Sequence, residues 1–224
     1  MNIEGQKLHG TFLKRINRFL AEVELGSTKI MVHVPNPARL SELLTPGADV
    51  FISRRIVING RDDRNTRHSL FAVRYKGILV GIDSRMPNYI FEKSLRTNLL
   101  KEFSQWTISR KDFRHRDSRI DYLLEKRETD GNFNKSERKG LMLLEIKSCS
   151  LVIDRVALFP DVPTIRGLRQ IRTLIEAVKS ASCVLWIVQR EDAEYLTPYI
   201  KIQPELEYAL IEGVEGIKFI SIQG

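Results

Sequence analysis

Cysteine and histidine are scarce in this chain of 224 residues, which contains two and four of them respectively. Both cysteines, Cys149 and Cys183, stand within apolar runs, which predicts two reduced core residues rather than a disulfide. Structural zinc sites need cysteine and histidine ligands clustered at short spacing. The histidines are His9, His33, His68 and His115. None of them belongs to such a cluster, so the sequence argues against a structural zinc site.

Long hydrophobic runs and cofactor motifs are also missing. No window approaches the roughly 18 consecutive apolar residues of a membrane span, and the opening stretch MNIEGQKLHGTFLKR lacks the apolar region of a secretory signal. We therefore expect a cytoplasmic protein that does not act at a membrane. The chain has no GxGxxG, P-loop or GxSxG pattern, so nucleotide-cofactor and serine-hydrolase chemistry lack their motifs.

Positive charge is in excess, with a formal net charge of +8, and this favours a polyanionic partner. Residues 1–85 carry 14 Lys and Arg against 8 Asp and Glu, and a second basic patch, RKDFRHRDSR, spans 110–119. Because arginine binds phosphate through a planar fork, the two patches predict DNA binding; a merely solvated surface is the alternative. The predicted nucleic-acid-binding residues are Arg54, Arg55, Arg64, Arg67, Arg110, Lys111, Arg114 and Arg116.

Residues 1–85 have the pattern of a small all-β domain. The β-like runs cover 10–34, 48–58, 69–75 and 78–83, with turns at Gly26-Ser27 and Lys76-Gly77. Several short strands of this kind predict an antiparallel barrel of the oligonucleotide-binding (OB) type. A short helix is predicted at 37–44, because Pro37 suits a first helical turn and Pro46-Gly47 would end it.

Residues 86–224 change to a mixture of helical and strand periodicity. Helices are predicted at 88–103, 164–179 and 204–211, and strands at 119–124, 141–147, 183–189 and 217–222. Thr164 is the expected N-cap of the second helix. The polar residues 125–140 between two of the strands are typical of an exposed loop. This order predicts an α/β domain with a mixed sheet, and a boundary between domains 1–85 and 86–224.

The stretch LLEIKSCSL, residues 143–151, places two charges inside an apolar strand. Residues i and i+2 of a strand share a face, so Glu145 and Lys147 project together. If the strand that contains Asp121 pairs with this one, two carboxylates come close, and oxygen ligands of this kind suit Mg²⁺ or Mn²⁺. Lys147 could then orient water or neutralise developing charge. The alternative is a salt bridge that protects a sheet edge.

Six stretches of the chain carry a resemblance to a known family. In chain order they are GTFLKRINRFLAEVEL, HVPNPARLSELLTPGA, SRIDYLLE, LLEIKSCSLV, ALFPDVPTIRGLRQI and VQREDA. Through them the chain resembles the sugar fermentation stimulation protein family along nearly its whole length. The resemblance implies an N-terminal OB-like barrel and a C-terminal domain similar to the PD-(D/E)xK nuclease superfamily. It also implies DNA binding and a role in regulating sugar metabolism genes.

The superfamily motif carries over onto five positions of this chain. The resemblance implies that Asp121 is the motif aspartate and that Glu145 and Lys147 form the ExK pair, with Asp121 and Glu145 as the metal ligands. Glu92 stands where the superfamily has an additional acid, and Gln170 where it has a polar residue on the following helix. The chain departs from the motif at Ile120, which occupies the place of the proline.

Three functions remain open on the sequence. The first is a DNA-binding protein with a Mg²⁺- or Mn²⁺-dependent nuclease-like centre. The second is a non-catalytic DNA-binding transcriptional regulator of sugar (maltose) metabolism. The third is an enzyme that acts on RNA or on a nucleotide. A homodimer and a monomer are equally compatible with the sequence.

Overall fold

The computed structural model describes residues 6–54, 66–127, 140–177, 181–213 and 217–223. The described residues form two compact units. The first contains the residues up to 86 together with 189–193, and the second contains 87–188 and 194–223. The short segment 189–193 lies within the range that the sequence pattern assigns to the second domain.

The first unit is a six-stranded sheet, five strands of which close into a barrel. Its strands are β1 (Gln6–Asn17), β2 (Leu20–Leu25), β3 (Thr28–His33), β4 (Asp49–Arg54), β5 (His68–Tyr75) and β6 (Ile78–Gly81). They are ordered β3-β2-β1-β4-β5-β6, and a β3–β5 pairing at His33 and Ser69 closes the first five strands of this order, with β6 paired to β5. Alternate side chains such as Phe12, Val23 and Val50 fill the interior. The predicted OB-like barrel is thereby confirmed, as are both predicted turns; predicted strand residues 55–58 lie outside the described residues.

The predicted helix at 37–44 is wrong. Leu40 has a positive φ of 52°, which a right-handed helix does not allow, and only a turn forms there. The Arg15 guanidinium donates hydrogen bonds of 2.6 and 2.7 Å to the carbonyls of Ala38 and Arg39. It also bonds the carbonyls of Arg18 and Asn36. These long-range bonds hold the segment in a non-helical conformation.

The second unit is an α/β domain. Its strands are β7 (Trp106–His115), β8 (Ser118–Lys126), β9 (Leu141–Cys149), β10 (Val152–Ile153), β11 (Val156–Phe159), β12 (Ala181–Val188), β13 (Tyr195–Pro198) and β14 (Ile217–Gln223). The helices are α1 (Met86–Arg96), α2 (Ile165–Ile175) and α3 (Pro204–Gly213), with a short 3-10 helix at Lys101–Phe103.

The main sheet of the second unit is mixed, as predicted. Its order is β14-β12-β9-β8-β7. The β12–β14 and β12–β9 pairs are parallel, whereas the β9–β8 and β8–β7 pairs are antiparallel. Strand β12 is therefore central, and seven of its eight residues are buried. This burial agrees with its almost uninterrupted apolar sequence.

Several elements of the second unit differ from their predicted form. Strand β7 was missed, because its charged residues are exposed at the sheet edge and only Trp106 is buried. Helix α1 ends at Arg96 rather than at 103; Asn98 has a positive φ of 54°. A small sheet of β10, β11 and β13 was also missed, since these strands have only two to four residues. Most of the predicted loop, residues 128–139, lies outside the described residues.

Two expectations from composition can be compared with the described part of the chain. Cys149 and Cys183 are buried, reduced thiols, as predicted. No helix in the described ranges has the length and apolar character needed to cross a bilayer.

Candidate active site

Pairing of β8 with β9 brings the two predicted metal-binding carboxylates together. The regular antiparallel register runs from Glu125↔Leu141 to Tyr122↔Leu144. At the next position, hydrogen bonds from backbone amides to side-chain carboxylates join the two strands. The Asp121 N–H donates to Glu145 Oε2 at 3.2 Å, and the Ile146 N–H donates to Asp121 Oδ2 at 2.9 Å. Each carboxylate is therefore oriented by the backbone of the opposite strand.

Lys147 lies on the same face as Glu145, as the strand alternation predicts. Its Nζ donates to Glu145 Oε1 and to Gln170 Oε1, both at 2.7 Å. Only 9% of the lysine side chain and 4% of the glutamate side chain are exposed. A buried charge of this kind needs a partner, and here each charge provides it for the other.

Helix α2 supplies the second contact of Lys147. Its N-cap is Thr164, whose side-chain oxygen accepts from the Gly167 N–H at 3.0 Å, as expected from the sequence. Gln170 lies in the second turn and is buried. Its Nε2 donates to the Arg119 carbonyl at 2.8 Å while its Oε1 accepts from Lys147. Gln170 therefore connects the lysine to the strand that carries Asp121.

Burial raises the pKa of both central carboxyls. Desolvation is the largest effect on the pKa of Asp121; the Ile146 N–H and the charge of Lys147 oppose it. Desolvation also raises the pKa of Glu145, the charge of Lys147 lowers it, and the neighbouring Asp121 raises it further. The two carboxylates thus carry more negative charge than one lysine compensates. Perturbed pKa values of this kind are typical of functional sites.

Glu92, the predicted additional acid, has different partners. On α1, its Oε1 accepts from Lys111 Nζ at 2.6 Å and from the Tyr122 hydroxyl at 2.9 Å. Burial by itself would raise the pKa of Glu92. These two hydrogen bonds and the charge of Lys111 outweigh it, so the pKa of Glu92 is lowered. Burial and Glu92 together raise the pKa of Tyr122. Glu92 is therefore an ionised residue that anchors α1 to β7 and β8.

Three residues near the site were missed by the sequence analysis. Asn88 lies near Asp121 and Tyr122 and acts to lower the pKa of both, and the positive charge of Arg166 acts on Asp121. Asn88 lies four residues before Glu92, and Arg166 lies four residues before Gln170. Residues with that spacing share a helix face, so the spacing is the signal that could have identified them. Tyr122 offered no such signal.

The donor atoms fit a hard divalent cation that retains several water ligands. Within the described ranges no group of three or more His, Cys, Asp or Glu side chains is assembled as a metal site. Asp121 and Glu145 nevertheless provide two adjacent carboxylates. A carboxylate oxygen has two lone pairs, so the hydrogen bonds described above still leave acceptor capacity. Two carboxylates plus water is a donor set that Mg²⁺ accepts.

The predicted nucleic-acid-binding residues of the second unit follow β7 and the turn after it, and all four are exposed. Two of them are ion-paired, Lys111 with Glu92 and Arg116 with Glu176. The guanidinium of Arg110 lies 6.0 Å from the centre of the Phe113 ring. Arg114 also projects from this strand into solvent.

The predicted residues of the first unit are described only in part. Arg54 and Arg67 are exposed. Burial is the largest effect that lowers the pKa of His68, and the charges of Arg54 and Arg67 lower it further. The two arginines therefore concentrate positive charge around one end of β5. Arg55 and Arg64 lie outside the described residues.

Comparison with known proteins gives the family. A family model described as "Sugar fermentation stimulation protein RE domain" matches residues 85–223, and one described as "SfsA N-terminal OB domain" matches residues 13–82. The chain belongs to the sugar fermentation stimulation protein family. The "Sugar fermentation stimulation protein homolog" of Alkaliphilus metalliredigens is 40% identical over 221 residues, which cover 97% of this chain and 89% of the relative.

Other members of the sugar fermentation stimulation protein family are similarly collinear with this chain. A homolog from Thermoanaerobacter sp. is 35% identical, with 98% of this chain and 92% of the relative covered. Among solved structures, SfsA from Pyrococcus furiosus in complex with Ca²⁺ matches with a TM-score of 0.86 and 26% identity. The match covers 100% of this chain and 90% of that one.

Proposed function

We propose that this member of the sugar fermentation stimulation protein family binds DNA and hydrolyses a phosphodiester bond with a divalent cation held by Asp121 and Glu145. The observation that carries the proposal is the pairing of β8 and β9 that joins the buried carboxylate of Glu145 to the half-buried one of Asp121, with Lys147 bonded to Glu145 at 2.7 Å. A salt bridge with Lys147 would need only one carboxylate. The second carboxylate repels the first, and a bound cation removes this repulsion.

The cation is the cofactor of this proposal. The description of the Pyrococcus furiosus structure names Ca²⁺ as bound to that family member, which supports a divalent-cation site in this chain also. For catalysis we propose Mg²⁺ or Mn²⁺. When bound, such an ion supplies positive charge that stabilises a phosphodiester under attack and favours deprotonation of water.

Lys147 has the geometry of a group that stabilises charge on the substrate. An ammonium has three N–H donors, and two of them are used by Glu145 and Gln170. The third is available for a phosphate oxygen or a water molecule. Because Glu145 and Gln170 fix the ammonium in advance, little reorganisation is needed when substrate charge develops.

The DNA part of the proposal rests on the OB domain and on basic residues in both units. OB domains bind single strands in positively charged grooves, and Arg54 and Arg67 are exposed on this one. Arg110 and Arg114 are exposed on β7 of the other unit. Arginine pairs with phosphate in a bidentate geometry, which makes the DNA backbone the expected ligand of these residues.

The test is DNA cleavage by the purified full chain with Mg²⁺ or Mn²⁺. Asp121→Asn and Lys147→Met are expected to reduce the rate by at least about 100-fold, the scale of removing one stabilising group from a catalytic site. Asp154→Asn is the matched control, since Asp154 is an exposed carboxylate in a turn of the second unit. It is expected to leave the rate unchanged. RNA and a free nucleotide are offered in parallel.

Each outcome decides between the candidate functions. Cleavage that survives Asp121→Asn rules out the assigned centre. DNA binding that weakens with salt, without cleavage under any metal, favours the non-catalytic regulator of sugar (maltose) metabolism. Faster turnover of RNA or of a nucleotide than of DNA would mean that the same centre acts on another phosphate ester.

A further inference from the structure

A cavity of about 300 Å³ lies between α2 and the turn that connects β7 with β8. Its walls include Arg116, Asp117, Ile165, Leu168, Arg169 and Arg172. Its three arginines outnumber its two carboxylates, Asp117 and Glu176. Together with two aliphatic side chains, this excess of positive charge suits a ligand with an anionic part and an apolar part. None of the carboxylates and amides that form the candidate active site lines it.

Two of the three arginines are available to a ligand. Arg116 is ion-paired with Glu176. Within the described ranges, Arg169 and Arg172 form neither an ion pair nor a side-chain hydrogen bond. Beside them, Ile165 is 84% exposed, so its aliphatic side chain is accessible to a ligand. A nucleotide would satisfy both features, with its phosphate on the arginines and its base or sugar on the aliphatic wall.

Helix α2 connects this cavity with the candidate active site, because it runs along β8. The positive charge of Arg166 acts on Asp121, and Gln170 bonds the carbonyl of Arg119. One turn later Thr173 bonds the Ser118 hydroxyl at 2.8 Å.

The helix ends beside the β7–β8 turn, where Glu176 pairs with Arg116. At a rise of about 1.5 Å per residue, Arg172 lies about 9 Å along the helix from Arg166. A polynucleotide strand can span that distance within a few nucleotides.

We propose that this cavity is a subsite for one nucleotide of the strand whose phosphodiester is bound at Asp121 and Glu145. Arg169 and Arg172 bind the phosphate of that nucleotide, and Ile165 and Leu168 contact its apolar part. This inference rests on the proposed function and extends it. It makes the preferred ligand an oligonucleotide, because one strand then contacts both the carboxylates and the cavity.

The experiment measures binding of fluorescent single-stranded DNA of 12 nucleotides to the full chain in the presence of Ca²⁺. The test variant is Arg169→Ala/Arg172→Ala. The control variant, Lys101→Ala/Lys201→Ala, removes the same charge from exposed positions of the same unit, outside the cavity. Circular dichroism and thermal unfolding verify that both variants remain folded.

The subsite predicts a loss of DNA affinity that is specific to the two cavity arginines. The arginine variant is expected to bind the 12-mer about 10- to 100-fold more weakly than wild type, as charge-assisted hydrogen bonds to phosphate are lost. Its slope of log affinity against log salt falls by roughly 0.7 for each phosphate contact removed. The lysine control loses far less affinity for the 12-mer.

Contrary outcomes separate this inference from the proposed function. If the arginine and lysine variants lose equal affinity, the subsite is wrong while DNA binding stands. If the wild-type chain does not bind the 12-mer, the proposed function fails and the subsite fails with it.

Discussion

Removal of the Lys147 ammonium should destabilise the metal-free protein by an amount that depends on pH. Lys147→Met preserves side-chain length but leaves Glu145 buried without its cation, and loss of one partner of a buried pair typically costs about 3–5 kcal/mol. Glu145 can avoid part of this cost by taking up a proton. From an ordinary pKa of 4.5, protonation at pH 7 costs about 3.4 kcal/mol, at about 1.36 kcal/mol per pH unit.

Burial already raises the pKa of Glu145 in the wild type. The stability lost by Lys147→Met is therefore smaller than the protonation cost of about 3.4 kcal/mol. We expect about 2–3 kcal/mol at pH 7 and less than about 1 kcal/mol at pH 5, where protonation is cheap. The sign follows from the raised folded-state pKa of the variant. Its stability is retained at low pH and is lost as the pH rises from the unfolded-state pKa through the folded-state pKa.

Urea unfolding in EDTA at both pH values measures these differences. The matched variant is Glu145→Gln/Lys147→Met, in which a neutral amide replaces the unpaired carboxylate. It should recover most of the stability lost by Lys147→Met at pH 7. An equal cost at pH 5 and pH 7, or no recovery in the double variant, would refute the assignment of Glu145 and Lys147 as a buried ion pair.

Four further predictions concern the carboxylates of the candidate site, the N-cap of α2 and the barrel. Ca²⁺ should raise the thermal unfolding midpoint of the wild type but not of Asp121→Asn, and its affinity should increase with pH as the raised pKa values of the two carboxyls are passed. Without metal, Asp121→Asn should gain stability over the wild type, by about 1 kcal/mol, as the pH rises above the ordinary aspartate pKa. Thr164→Ala removes the N-cap bond to Gly167 and should cost about 1 kcal/mol in urea unfolding, with Thr164→Ser largely unaffected. Gly10→Ala would place a Cβ 2.6 Å from the carbonyl oxygen of Glu24, so the barrel should lose more than about 1 kcal/mol, whereas an unchanged midpoint would contradict the close approach of β1 and β2.

The charged face of the candidate site was predictable because it depends on local geometry. Strand alternation alone places Glu145 and Lys147 side by side. The approach of Asp121 depended on one further condition, that its strand pairs with β9, and the structure meets it. The partners of Glu92 were not predictable, because Lys111 and Tyr122 come from two other strands whose register no local pattern determines.

The wrong predictions of the fold have a common cause in contacts over long sequence distances. Pro37 and the Pro46-Gly47 pair are typical of the two ends of a short helix. The helix does not form, because the Arg15 guanidinium binds the carbonyls of Ala38 and Arg39. Strand β7 lacks a hydrophobic alternation because it pairs only with β8 at a sheet edge. Charged residues on an edge strand discourage pairing with other molecules. They also remove the apolar alternation by which a strand is predicted from sequence.

The bonds that close β8 onto β9 at Asp121 and Ile146 make two backbone amides into reporters of the site. Both N–H groups donate to carboxylate oxygens rather than to peptide carbonyls. Bonds of this kind weaken when the acceptor loses its charge, so amide hydrogen exchange at these positions should follow the ionisation and occupancy of the carboxylates. The sheet and the candidate site share these atoms, and strand pairing at this end is therefore thermodynamically linked to whatever the site binds.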